Sequence, residues 1–177
     1  MLRFLIKNKR QKYKSDSLIN LQSTPDDNFI PVNIIGNEDN PQHGPVNLKK
    51  RFDAKRWVTN EKEIIVYRQD NRSLNEIIEQ GGFQPRTLEI GTIKDHILGS
   101  RSQYSYISTS SGRLKSNSYG RYEYKIKLAP HHGINSEKTL ERIHGSMNTL
   151  SAKNVEYLIP GGISPSQIIG WRDCVAR

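Results

Sequence analysis

The sequence predicts a single α+β domain of short strands with one or two helices. Several short stretches alternate polar with apolar residues or concentrate β-branched and aromatic ones, the pattern of half-buried strands. Only two stretches carry helix signals, and the length of 177 residues allows one domain with a tail.

In chain order, Glu63 to Arg68 (EIIVYR) reads as the first clear strand. Ser73, Leu74, Asn75 and Glu76 then fit a capping box, in which the Ser hydroxyl and the Glu carboxylate each satisfy a free backbone N–H at a helix start. Gly81-Gly82 stops that helix after Gln80. Ser102 to Ser110 and Arg121 to Ala129 alternate as strands with one buried face, joined by the polar, basic connection Gly112 to Gly120. Leu140, Ile143, Met147 and Leu150 fall at helical spacing, which predicts an amphipathic helix over 136–150 that Gly145 weakens. Val155 to Ile159 and Ser166 to Trp171 are further strands, separated by Pro160-Gly161-Gly162.

Composition narrows the function classes. Cys174 is the single cysteine, which excludes an internal disulfide framework and a Cys-rich zinc module. His131, His132 and His144 lack the Cys or carboxylate partners that would complete a metal set, so no metal is expected. Every apolar stretch is too short to span a bilayer, and Arg3 with the basic run behind it breaks the pattern of a signal peptide. The net charge of +9 raises the possibility of nucleic-acid binding. Its distribution argues against a recognition surface, because residues 1–14 and 49–56 carry eleven of the 27 Lys and Arg and one of the 18 acids. Between those runs lie no Lys or Arg and repeated Pro and Gly, so residues 1–59 read as a basic leader, extended or disordered in part. Residues 60–177 form the predicted catalytic domain.

Three motifs carry the chemistry. The first is Val66-Tyr67-Arg68-Gln69-Asp70 with Arg72, running through the capped helix to Gly81-Gly82-Phe83-Gln84-Pro85-Arg86. The second is Ser108-Thr109-Ser110, preceded by Asp95-His96, and the third is Asn154-Val155-Glu156 followed by Gly161-Gly162-Ile163 and Gly170-Trp171. Over residues 63 to 172 this order resembles the cholera and pertussis type of mono-ADP-ribosyltransferase toxins, which share an Arg, Ser-Thr-Ser, Glu pattern. The resemblance implies an ADP-ribosyltransferase core of two small β-sheets packed at a steep angle, with NAD as co-substrate in the cleft between them.

The residue types suit that chemistry. Cleaving the bond between nicotinamide and ribose requires a grip on pyrophosphate, an oriented ribose and a stabilised oxocarbenium-like transition state. Arg68 offers phosphate a planar fork that Lys cannot reproduce, with Asp70 and Arg72 supporting that corner. Ser108 can fix the rotamer of a neighbouring carboxylate, while Thr109 and Ser110 stiffen the strand edge. Glu156 is the expected catalytic carboxylate, accepting the ribose 2′-hydroxyl. His96 fits a contact to ribose or phosphate or a proton-accepting role, and Tyr106 could supply a ring for the nicotinamide face.

Asn154 departs from the arginine-modifying pattern. Arginine-modifying members of the resembled group carry a second Glu two residues before the catalytic one, and an amide cannot be a general base. The expected acceptor is therefore not arginine: a Thr, Gln, Asn or Cys of a host protein, or a nucleobase. The competing readings are an NAD glycohydrolase using the same site, a DNA-modifying transferase, and a non-enzymatic basic nucleic-acid-binding module. The transferase reading implies a secreted or injected toxin acting in the target-cell cytoplasm. A translocation complex, such as the insecticidal Tc type, would pass the leader as an unfolded chain.

Overall fold

The computed structural model describes residues 28–34, 57–86, 106–114, 117–145 and 154–175. Seven strands form one sheet in the order β1-β7-β4-β2-β3-β6-β5, every pair antiparallel. They are β1 Ile30–Pro31, β2 Ile64–Asp70, β3 Tyr106–Ser110, β4 Tyr122–Leu128, β5 Ile134–Asn135, β6 Glu156–Pro160 and β7 Ile168–Asp173. The sheet has two halves. Strands β2 and β4 pair along their full length, yet β2 meets β3 through one register pair, Tyr67 with Ser110. The cleft described below lies beside that pair.

Two apolar clusters cover the two faces. Val66, Tyr124, Ile126, Leu128 and Ile168 of the first half meet Ile107, Ile159 and Ile163, with Ile77 of the first helix and Phe83 closing over them. Trp57, Tyr106, Ile134, Leu140 and Leu158 form the second cluster. Alternation along a strand explains the division, since Tyr106 and Ile107, or Leu158 and Ile159, point to opposite faces. Each fully buried Ile contributes on the order of 1.5–3 kcal/mol relative to exposure.

The first helix, α1, spans Leu74–Glu79 and starts as its sequence predicts: Ser73 is the N-cap and both halves of the capping box with Glu76 form. Its exit is set by Gly82, whose φ of +101° disfavours any side chain and whose Cβ would lie 2.0 Å from the Ile163 carbonyl oxygen. This close approach allows Phe83 and Ile163 to exchange backbone hydrogen bonds of 2.8 and 2.9 Å. The two Gly-Gly turns therefore dock on each other and bring Phe83 beneath the end of β2.

The second helix, α2, spans Ser136–His144, with Asn135 as N-cap accepting from Lys138 N–H at 2.9 Å. It ends earlier than its apolar spacing predicts, because Gly145 adopts φ +78°; residues 146–150 lie outside the described residues. The buried stripe is Ser136, Thr139 and Leu140, and Ile143 is exposed. Thr139 earns its burial by accepting Val58 N–H at 2.9 Å.

Parts of the stretch read as a leader touch the sheet. Ile30 and Pro31 pair with Trp171 and Gly170 on the outer edge of β7. Phe29 packs on Tyr67 at 5.7 Å, with the guanidinium groups of Arg113 and Arg172 at 5.4 and 5.5 Å from its ring. Trp57 enters the second cluster, and its carbonyl accepts Arg142 Nη1 at 3.1 Å. The strands β1 and β5, two residues each, are not marked by any sequence periodicity.

Candidate active site

At the end of β2, beside the single β2–β3 pair, lies a cleft of about 420 Å³. That volume suits part of a dinucleotide or a comparable small molecule. Arg68, Ser108, Thr109, Ser110, Asn154 and Glu156 line it together with Tyr67, Gln69, Leu114 and Tyr119. Thus six positions chosen from three distant motifs converge on one cavity.

Glu156 opens β6 and sits opposite Ser110 in register. Two residues along β3, Ser108 donates its hydroxyl to Glu156 Oε1. The carboxylate is thus held by a neighbouring strand, which helps fix its rotamer. Thr109 points the other way, and its hydroxyl donates to the Tyr157 carbonyl at 2.9 Å. Ser110 accepts Gly112 N–H at 3.3 Å and so shapes the start of the following segment.

Arg68 crosses the joint between the halves. Its Nη1 donates to the Ser108 carbonyl at 2.8 Å, and Nη2 lies 3.6 Å from Asp70 Oδ2. The guanidinium stacks over Phe83 with its central carbon 5.4 Å from the ring centroid. Burial is the main influence on its pKa and lowers it, against the pull of Asp70; an arginine so placed still carries its charge. Its Nε is buried with no hydrogen-bond partner. A buried donor left unpaired on a cation is costly.

Asp70 and Arg72 do not line the cleft but brace Arg68. Arg72 Nε and Nη2 each donate to an Asp70 carboxylate oxygen at 2.8 Å, a bidentate pair. Burial works to raise the Asp70 pKa, but the hydrogen bonds from the Arg72 side chain and backbone, with the charges of Arg72 and Arg68, outweigh it and leave the carboxyl below its ordinary value. Arg72 also hydrogen-bonds Gln80 and packs over Phe83 at 5.7 Å.

Two expectations change or pass out of view. Tyr106, expected to offer a ring to nicotinamide, does not line the cleft: it is 5% exposed inside the second cluster, because its place in β3 turns it toward α2. His96 lies outside the described residues. His131 and His132 form the turn between β4 and β5, where Thr59 Oγ1 meets His131 Nδ1 at 2.9 Å. Among the described residues, no group of three His, Cys, Asp or Glu is arranged to hold a metal ion.

Four cleft residues were not singled out from the sequence. Tyr67 and Gln69 flank Arg68 on β2, and Gln69 Oε1 accepts Tyr119 N–H at 3.2 Å. Tyr119 is 73% exposed at the rim. The available signal was an aromatic residue inside an otherwise polar connection. Leu114 belongs to the same connection, on the side where Asn154 stands.

The family model described as Scabin-like matches residues 66–177. The Scabin toxin from Streptomyces scabies in complex with NADH is 26% identical, with a TM-score of 0.51 over 77% of this chain and 81% of that one. A guanine-specific ADP-ribosyltransferase with NADH and GDP is also 26% identical, with a TM-score of 0.54 over 76% of this chain and 82% of that one. No curated protein sequence matches the chain.

Proposed function

Because the chain belongs to the Scabin-like family and is an NAD-dependent mono-ADP-ribosyltransferase toxin, we propose that its acceptor is a guanine base. The relative solved with NADH and GDP is named guanine-specific, and this supports the choice. A non-arginine acceptor agrees with Asn154 in the cleft. The sequence favours a host protein over a nucleobase, and the relative's named specificity supports the nucleobase instead. An Asn amide has both a donor and an acceptor, so it can hydrogen-bond the mixed edge of a base.

The observation that carries the enzymatic reading is the Ser108–Glu156 hydrogen bond facing Arg68 across one cleft. In this proposal the Arg68 guanidinium binds the pyrophosphate, and Glu156 accepts the ribose 2′-hydroxyl. The bond between ribose C1′ and the nicotinamide nitrogen breaks, and its electron pair leaves on nicotinamide. Glu156 places negative charge beside the resulting cationic sugar. An acceptor nitrogen then forms the new bond to C1′ and releases a proton.

The finer architecture and delivery belong to the same proposal. The narrow β2–β3 joint supports two packed half-sheets with NAD between them, as in the cholera and pertussis type. Residues 60–177 would be the catalytic domain, with Phe29 to Pro31 and Trp57 as points where the leader docks on it. The basic runs of the leader support passage through a larger delivery machine, of which the Tc complex is one example, and action inside a target cell. The experiment is incubation of the full chain and Glu156→Gln with labelled NAD and either GDP, duplex DNA or a eukaryotic lysate, followed by mass spectrometry. Glu156-dependent ADP-ribose on guanine is the expected result; label confined to protein would overturn the acceptor, and nicotinamide release without transfer would make the chain a glycohydrolase.

A further inference from the structure

Glu123 of β4 is completely buried, and its carboxylate is shared between two structural elements. Oε1 accepts the backbone N–H of Leu114 at 2.8 Å. Oε2 accepts Arg172 Nε at 2.6 Å, with Arg172 Nη2 at 2.5 Å and Arg113 Nε at 3.9 Å. A carboxylate removed from water needs such a set of partners, and in return it pins whatever carries them.

What it pins is the segment 111–114 behind Asn154. Arg113 contributes its carbonyl, which accepts Asn154 Nδ2 at 3.4 Å. Gly112 packs so closely that a Cβ there would lie 2.2 Å from Asn154 Oδ1 and 2.9 Å from its Cγ. Ser111 N–H donates to the Val155 carbonyl at 2.8 Å, and Val155 N–H donates to Ser111 Oγ at 2.9 Å. The Asn154 side chain thus rests against a wall whose far side is tied to Glu123. Arg68, Ser108 and Glu156 have in addition bonds of their own, to one another and to Asp70.

We propose that Glu123 is a positioning residue for the acceptor: it fixes segment 111–114, which orients Asn154, and so governs transfer separately from NAD cleavage. This rests on the transferase reading of the cleft. Once the bond from C1′ to nicotinamide breaks, either an acceptor nitrogen or a water oxygen closes on C1′ and loses a proton. A displaced Asn154 leaves water as the better-placed partner, so hydrolysis continues while transfer declines.

The test compares wild type, Glu123→Gln and Arg172→Lys in the full chain. Nicotinamide release is measured with NAD alone, and ADP-ribose transfer is measured with GDP, each resolved into kcat and KM. Gln keeps an acceptor for Leu114 N–H but removes the charge that pairs the arginines. The expected result is a loss of about 10-fold in transfer through a higher KM for GDP, the size typical of lost supporting hydrogen bonds. Nicotinamide release keeps its wild-type kcat and KM for NAD. A parallel fall of both reactions, or unchanged transfer, would overturn the proposal. If circular dichroism shows Glu123→Gln unfolded, Arg172→Lys, which retains charge but loses the bidentate geometry, is judged by the same criterion. A wild type that modifies lysate protein and not GDP overturns the guanine acceptor alone, and the ratio of transfer to hydrolysis is then read on that labelled protein.

Discussion

The hydroxyl of Ser108 donates to the carboxylate of Glu156 from the adjacent strand, two register positions from the point where β2 joins β3. The bond ties the central carboxylate to the same strand whose Ser108 carbonyl receives Arg68. One residue of β3 therefore sets the separation between the Arg68 guanidinium and the Glu156 carboxylate.

Glu156→Gln keeps the shape of the side chain and removes its charge. Nicotinamide release and transfer should both fall by about 100-fold or more, as when a transition-state electrostatic group is lost. Ser108→Ala leaves the carboxylate charged but loosely held, so about 10-fold is expected. Initial rates with saturating NAD, on variants with wild-type circular dichroism, check both values.

Arg68→Lys retains a positive charge but loses the planar fork and the stacking over Phe83. A charge-assisted hydrogen bond contributes about 1.5–3 kcal/mol, so KM for NAD should rise by roughly 10-fold to 100-fold. Titration of the variant with NAD, followed by tryptophan fluorescence or calorimetry, reads the loss without relying on turnover.

Asn154→Ala should lower transfer to GDP more than it lowers nicotinamide release if Asn154, which lines the cleft, faces the acceptor as proposed. Asn154→Glu supplies a general base at the position where arginine-modifying enzymes of the resembled group have one. The expected gain is measurable ADP-ribosylation of free arginine, assayed by mass spectrometry. Wild type is expected to give none.

Asp70 makes stability fall at acid pH. Its carboxyl titrates lower in the folded chain than in the unfolded one, where the ordinary value is about 3.9. Its stabilising contribution is complete above the unfolded value and is lost as pH drops through the folded value. Urea unfolding of wild type and Asp70→Asn should therefore differ by a constant amount from neutral pH down to about 5, and the difference should shrink below about 4.

Much of the site was legible because its residues sit in locally determined elements. The capping box at Ser73 and Glu76, the alternation of β4 and the paired glycines at 81–82 and 161–162 each act within a few residues. Tyr106 and Glu123 were not legible, since alternation in a strand assigns faces only after both faces are known to be covered. Tyr106 turns into a second apolar cluster, and Glu123 is buried among arginines from elsewhere in the chain. The same limit hid β1 and β5, whose two-residue pairings exist only because β7 and β6 offer an edge.

The sequence by itself determined the strand-rich α+β character, the order of Arg68, Ser108 and Glu156, and the non-arginine expectation from Asn154. These depend on residue identity and short spacing. Tertiary structure alone decided which groups share a cavity and which support it. Ser108 reaches Glu156 across 48 residues and Glu123 reaches Arg172 across 49. Such contacts follow from sheet order and register, which no local periodicity encodes. The basic runs at 1–14 and 49–56 lie outside the described residues, while Arg68, Ser108 and Glu156 come together beside the Tyr67–Ser110 pair of β2 and β3.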